Sequence, residues 1–325
     1  MNFFTENVRL GLELIPILLD EKNGKTDIKI PVDISIALDT FKDMMPILPE
    51  GLLWYELRGV HLGKGVAKGK TKDDVYRAFL FWAQKEEDIK ANVFNITKAL
   101  RRFLIFAFMQ EKHYSETGWI KDPVYLSDFE LSQNVCPIYV SSEPLKGTPA
   151  DNSLDGCILW GIDVPKLKIK DIDFTQPGCN TVDIFRSYWY LILSSVFDKT
   201  TQRRGIVLVD NVGKLSWKDY SRYSNGILGS NNEEHWLEIF SGWLPIKFKK
   251  YISVNSPWWN SLSIGIAKLF LSRKMSSRVK VDSMKKMYSR IGGKQNLPYG
   301  FMGGDIVNAD MLPSSLFGIQ LVQKN

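Results

Sequence analysis

Cysteine and histidine are both scarce in this chain, with three of each in 325 residues. Cys136, Cys157 and Cys179 are odd in number, and none stands in a Cys-x-x-Cys pair or other metal-ligand spacing. That argues against a disulfide framework or a structural zinc site and predicts small buried thiols in a reducing compartment. His61, His113 and His235 lie in unrelated contexts. There is no Gly-x-Ser-x-Gly elbow, no His-Glu-x-x-His helix and no Gly-x-x-x-x-Gly-Lys-Ser/Thr loop, so the familiar carriers of hydrolytic, metalloprotease and nucleotide chemistry are missing. The expectation is a protein that is not an enzyme and takes no cofactor and no metal. Glu233-Glu234-His235 with Glu238 reads as a polar helix surface.

Long apolar runs are absent as well. Nothing approaches the roughly eighteen residues a membrane span needs. The run Leu14–Leu19 is preceded by Glu6 and Glu13, with no basic segment ahead of it and no small-residue cleavage site, so a cytoplasmic protein without a signal peptide is expected. A composition of 44% hydrophobic and 24% charged residues is ordinary for a folded chain and argues against extended disorder. Aromatics are plentiful, with ten Trp and eighteen Phe. Either a ring-lined cavity or simple core packing would use them.

Residues 1–60 hold short apolar segments broken by Pro16, Pro31, Pro46 and Pro49, with Asp33 and Asp39 as candidate helix starts. Gly59 to Lys72 reads as a flexible basic loop. Asp73-Asp74 then open a helix carrying Val75, Phe79, Phe81 and Trp82, and a second helix is predicted from about Asp88 to Gln110. Beyond Leu126 the pattern changes. Strands are predicted at 136–140, 157–164, 205–210, 251–255 and 279–281, and helices at 182–197, 233–243, 258–271 and 284–291. Alternating strands and helices imply an α/β fold with a mainly parallel sheet and crossover helices. On helix 182–197, Phe185, Tyr188, Trp189, Ile192 and Phe197 could form an aromatic wall, and Tyr188 offers a hydroxyl for the polar end of a ligand. An ordinary buried helix has the same pattern. Asp210 ends a strand where open α/β sheets hold ligand-contacting acids, although capping the next loop is the plainer role.

Acid is nearly absent from one stretch. Between Ser241 and Gly300 twelve Lys and Arg face one acid, Asp282, a net of 12 − 1 = +11, which leaves 6 − 11 = −5 for the rest of the chain. In the same stretch the apolar positions Trp258, Leu262, Ile266, Leu269 and Phe270 recur at helical spacing, as a cover on a core or a membrane-facing lid. A basic block beside a Trp-rich helix suits lipid headgroups better than nucleic acid, on which the apolar face would be wasted. A solvated basic face is the alternative.

These residues resemble a known family. The strand Tyr251–Val254, then Asn255-Ser256-Pro257, a lid helix with Lys268, Phe270-Leu271, a second strand at Val279-Lys280-Val281 and Leu297-Pro298 before Gly303-Gly304 look like the C-terminal half of a CRAL-TRIO lipid-binding domain. Upstream, Ile184-Phe185-Arg186 and Thr201-Gln202-Arg203-Arg204-Gly205 followed by Ile206–Asp210 extend the likeness. It covers roughly 120–307 and is nearest the alpha-tocopherol transfer protein and retinaldehyde-binding protein branch. The resemblance implies a helical N-terminal region over 1–120, CRAL-TRIO-N-like from about 73, a lipid-binding domain over 121–310 and a tail over 311–325. It implies a hydrophobic cage with a lid helix, lined by Phe185, Tyr188, Trp189, Ile192, Leu208, Val254, Leu262 and Ile266. It also implies a headgroup site for phosphatidylinositol bisphosphate at Lys249, Lys274 and Arg278, and a lid whose Trp258 and Trp259 enter the bilayer.

The function expected is binding of a small hydrophobic lipid, tocopherol-, retinoid- or phospholipid-like, by a monomer that transfers it between phosphoinositide-containing membranes. Such a protein would be cytoplasmic and transiently membrane-associated. The alternative is a recruitment module with a closed core that carries nothing.

Overall fold

Short polar side chains decide where the first helices start. The computed structural model describes residues 29–45, 56–135, 137–141, 143–148, 150–228, 244–270, 273–298 and 300–302. The helix predicted at 233–243 with its Glu/His group, Cys136, the 311–325 tail and the first twenty-eight residues lie outside them. After strand β1 (Lys29–Pro31), Asp33 accepts the backbone N–H of Ser35 at 2.8 Å and caps α1 (Ile34–Asp43). Thr71 and Asp74 form a reciprocal capping box at the start of α2 (Lys72–Ala83). The single helix expected from Asp88 to Gln110 is divided into α3 (Glu86–Ala91), β2 (Val93–Asn95) and α4 (Ile96–Lys112). Asn92 takes a left-handed conformation (φ 50°), which ends the first piece, and the residues after it pair antiparallel with β1. Asn95 then restarts the helix by accepting the N–H of Lys98 at 2.9 Å.

These elements belong to one compact unit, which takes in the chain to Leu126 together with Tyr188–Arg203 and Asn231–Ile246. Its centre is aromatic. Phe103 meets Phe41, Tyr76 and Phe79 edge-on at centroid distances of 5.7, 5.1 and 5.4 Å. The glycine-rich segment 59–72, expected to be a flexible loop, takes defined turns. Gly59 N–H donates to Gln110 Oε1 at 2.7 Å, and Val66 N–H donates to the carbonyl of Val124 at 2.9 Å. Val60 and Ala67 are buried there.

The second unit takes in Ser127–Ser187, Arg204–Ser230 and the chain from Lys247. Along the chain from Leu126 come α5 (Leu126–Leu131), β3 (Ile138–Val140), β4 (Ile158–Asp163), α6 (Thr181–Val196), α7 (Lys199–Arg204), β5 (Ile206–Asn211) and α8 (Trp217–Leu228), of which α6 from Tyr188 and α7 to Arg203 belong to the first unit. They are followed by β6 (Phe248–Val254), α9 (Trp258–Phe270), α10 (Arg273–Arg278), β7 (Val279–Asp282) and α11 (Met284–Ile291). The five strands from β3 to β7 form one sheet in sequence order. β3 is antiparallel to β4 and the remaining pairs are parallel, so the fold is α/β with a mainly parallel sheet. Gly205, with φ +94°, makes the turn from α7 into β5, and a Cβ there would stand 2.2 Å from the carbonyl oxygen of Lys247.

One face of the sheet is closed. Leu159, Val207, Val209, Ile252 and Val254 form a core with Met287 and Ile291 of α11 and with Leu297 and Phe301. Lys250 points to the same side and is buried in an ion pair with Asp151, while Arg290 joins Asp282 at 2.6 Å. At the carboxyl ends of the strands, Asn255 Nδ2 donates to Asn211 Oδ1 (2.9 Å), and Asn211 Nδ2 donates to Asp163 Oδ1 (2.7 Å). This side-chain chain ties β4, β5 and the end of β6 together. The ring of Phe301 lies directly over Gly161, where an added Cβ would be 2.8 Å from ring carbon atoms. Gly161→Ala should therefore cost about 1–3 kcal/mol of stability in urea unfolding. A change below about 0.3 kcal/mol would mean that the ring does not close this face.

Candidate functional site

Side chains alternate along a strand, so the residues between those of the closed core point to the other face. Strand pairing sets them in two rows. Trp160, Leu208, Tyr251 and Val279 form the first, and Ile162, Asp210, Ser253 and Val281 the second. Mostly apolar, these rows contain a small polar group. The hydroxyl of Tyr251 donates to Asp210 Oδ2 at 2.7 Å. Asp210 keeps some accessible surface, but its Oδ1 is buried with no partner among the described residues, and so is the indole nitrogen of Trp160, a residue only 6% exposed. Burial pushes the Asp210 carboxyl up to about 6, against the opposing pull of the Tyr251 hydrogen bond. Burial and the neighbouring carboxylate push the Tyr251 phenol well above its ordinary range. Leaving a buried polar atom unmet costs about 1–3 kcal/mol, and this face carries two.

Helix α9 is anchored on one side and open on the other. The chain leaves β6 through Asn255, which is left-handed (φ 50°), and Pro257 ends the ladder. Asn260 Nδ2 donates to Ser253 Oγ and Ser256 Oγ, both at 3.1 Å, which fastens the first turn of α9 to β6. The Trp259 indole N–H donates to the carbonyl of Leu215 at 3.2 Å, and its ring lies 4.8 Å from that of Tyr220 and 5.3 Å from that of Trp217. With that side committed, the apolar stripe faces out: Trp258 is 78% exposed, Leu262 56%, Ile266 51% and Leu269 81%. Trp217, at the start of α8, adds a further ring at 58%.

This arrangement separates residues that the sequence groups together. Of the two tryptophans expected to enter a bilayer, Trp258 is exposed and Trp259 is 8% exposed and hydrogen-bonded inward. Leu262 and Ile266, expected to line a ligand cavity, stand on the outer stripe, because Trp259 and Asn260 fix the other side of the helix inward. Val254 and Leu208 cannot line one cavity, since β5–β6 pairing places Val254 in the closed core and Leu208 on the opposite face. On α6, Phe185 is buried in the second unit, while Tyr188, Trp189 and Ile192 belong to the first. Trp189 is committed to packing there. Its N–H donates to the carbonyl of Gly59 at 2.9 Å, and its ring stacks on Phe106 at 6.4 Å. Ile192 is buried and Tyr188 half-buried.

The basic block is likewise divided. Lys250 and Arg290 are paired with acids on the closed face. Arg278 Nη1 donates to the carbonyl of Phe248 at 2.8 Å, which brings the end of α10 to the start of β6, beside Lys249. Burial pulls the Arg278 pKa down. Lys249 is half-buried, with no carboxylate within ion-pair distance among the described residues. Lys274 lies on α10, and its side chain is outside the described residues. Arg273, Lys285, Lys286 and Lys294 are exposed.

No protein-family model matches this chain, and no curated protein matches it in sequence. Among the described residues, no three His, Cys, Asp or Glu side chains are grouped so as to hold a metal ion, and no helix is long and apolar enough to cross a membrane. Sequence reasoning missed Trp217, Trp160 and Tyr251. For Trp217 a signal was present, a large ring at the first position of a helix among Lys214, Ser216, Lys218 and Asp219. Trp160 and Tyr251 became visible only once strand pairing set them beside Asp210.

The raised Asp210 pKa makes stability depend on pH. Below about pH 4 the carboxyl is protonated in both the folded and the unfolded chain. As pH rises toward 6 the unfolded chain ionises first, so the folded state loses up to about 3 kcal/mol, a loss complete above pH 6. The phenol bonded to it, Tyr251, is held well above its ordinary range, far from this window. Asp210→Asn should remove the effect, so that its stability relative to the unsubstituted chain rises between pH 4 and pH 7.5 in urea unfolding. A difference that does not vary with pH would show an ordinary, solvated carboxylate.

Proposed function

We propose that this chain binds a hydrophobic lipid and exchanges it at phosphoinositide-bearing membranes, with α9 as the element that meets the bilayer. The observation that carries the reading is the outer stripe of α9. Trp258, Leu262, Ile266 and Leu269 are each more than half exposed on one helix, next to the exposed Trp217. A contiguous apolar strip of this kind marks an interaction surface, and rings at its edge suit the headgroup boundary. The exposed Arg273 and the cations at the α10–β6 junction supply attraction to an anionic surface at about 1 kcal/mol each. The resemblance to the CRAL-TRIO family, carried by Asn255-Ser256-Pro257, the lid helix and the Thr201-Gln202-Arg203-Arg204-Gly205 turn, supports a lipid cage whose lid is α9. Within that reading Lys249, Lys274 and Arg278 hold a phosphatidylinositol bisphosphate headgroup outside the cage.

The two surfaces are separable by mutation. Trp258→Ala with Leu269→Ala should weaken binding to phosphatidylcholine vesicles containing phosphatidylinositol bisphosphate by about tenfold or more without altering thermal stability. Trp259→Ala should instead lower stability, because it removes a buried ring and its hydrogen bond. Unaltered vesicle binding by the first pair would contradict a membrane role for α9.

Lys249→Ala with Lys274→Ala should weaken the same binding by roughly thirtyfold, from about 1 kcal/mol per cation, and flatten its salt dependence. Arg278 is left intact in that experiment because its guanidinium also holds the Phe248 carbonyl. An effect no larger on bisphosphate vesicles than on plain phosphatidylserine vesicles would show a general basic face instead of a headgroup site.

A further inference from the structure

The face of the sheet opposite the closed core presents, among the described residues, one buried hydrogen-bond acceptor and one buried donor with no protein partner, on neighbouring rows. Asp210 has its Oδ2 taken by Tyr251, while Oδ1 is buried and unmet. Trp160 is opposite Leu208, one row away on the adjacent strand, and its buried N–H is unmet too. Diagonal neighbours on one sheet face have Cα atoms about 7–8 Å apart, within reach of an aromatic side chain, so the two unmet atoms belong to neighbouring positions on one face. Around them stand Leu208, Ile162, Val279 and Val281.

We infer that Trp160, Asp210 and Tyr251 form a receptor for a single hydroxyl group at the polar end of an otherwise apolar ligand. The inference rests on the lipid-binding reading and names the ligand class within it, a long-chain or polycyclic alcohol or phenol. A hydroxyl both donates and accepts, so it can give its proton to Asp210 Oδ1 and take the Trp160 N–H. An ether, ester or aldehyde accepts only and leaves Oδ1 unmet. A carboxylate sets a second negative charge against Asp210, and an ammonium turns its protons toward the indole N–H. No bond is made or broken; the ligand is held and released unchanged.

The test uses the full chain and two matched probes, hexadecan-1-ol and hexadecyl methyl ether, radiolabelled and offered in phosphatidylcholine vesicles. Uptake of each is compared among the unsubstituted protein, Trp160→Phe and Asp210→Leu. Each substitution removes one polar partner; should Asp210→Leu fail to fold, Asp210→Ala carries the comparison. The ratio of alcohol to ether uptake should fall by roughly tenfold in Asp210→Leu with ether uptake unchanged, because only the alcohol donates to Oδ1, whereas Trp160→Phe should lower uptake of both probes alike, because both oxygens accept its N–H. An unchanged ratio in the Asp210 variant overturns the hydroxyl site and leaves lipid binding standing. Failure of the unsubstituted protein to take up either probe overturns the lipid-binding reading beneath it as well.

Discussion

Alternation along β5 is the constraint on which the rest of the second unit depends. Val207 and Val209 are locked into the core beneath α11, and a strand that commits its odd residues to one face must present its even ones to the other. Ile206, Leu208 and Asp210 have no alternative position. The neighbours follow through pairing: Trp160 and Ile162 from β4, Tyr251 and Ser253 from β6. A slip of one residue in register would bring Asp210 into the apolar core and expose two valines. The closed face therefore sets the chemistry of the opposite one, and the Asp163–Asn211–Asn255 chain at the strand ends holds that register.

Helix α9 repeats the same logic around a helix axis. Trp259 and Asn260 are committed inward by hydrogen bonds to the Leu215 carbonyl and to Ser253 and Ser256. Positions three and four residues apart share a helix face, so fixing one side leaves Trp258, Leu262, Ile266 and Leu269 on the other. Exposing that much apolar surface is unfavourable in water, and a partner surface that buries it offsets the cost. Charge is partitioned similarly. Lys250 and Arg290 serve the fold through Asp151 and Asp282, whereas Lys249 and Arg278 meet at the edge where α10 reaches β6.

The architecture was largely legible in the sequence. Strands at 157–164, 205–210 and 279–281 and helices at 182–197, 258–271 and 284–291 differ from the observed elements by about a residue at most ends, because alternation and Asn-Ser-Pro or Gly punctuation are local signals. The break at Asn92 was not legible, since it depends on pairing with Lys29–Pro31, some sixty residues earlier. Periodicity also identified the apolar stripe of α9, but it could not say which way the stripe faces. That depends on the hydrogen bonds of Trp259 and Asn260 to distant residues. The ligand-lining set was the least legible. Val254 and Leu208 are equally apolar and both lie in strands, and only register separates them. Asp210 was visible as an acid at a strand end, while its polar partners came from other strands.

Native mass spectrometry of the full chain, purified without detergent, tests the central claim most directly. The account predicts a bound species of lipid mass that survives purification, is released on unfolding and carries a hydroxyl group. A protein that is reproducibly bare under the same conditions, and stays so after incubation with membrane lipid extract, would contradict it.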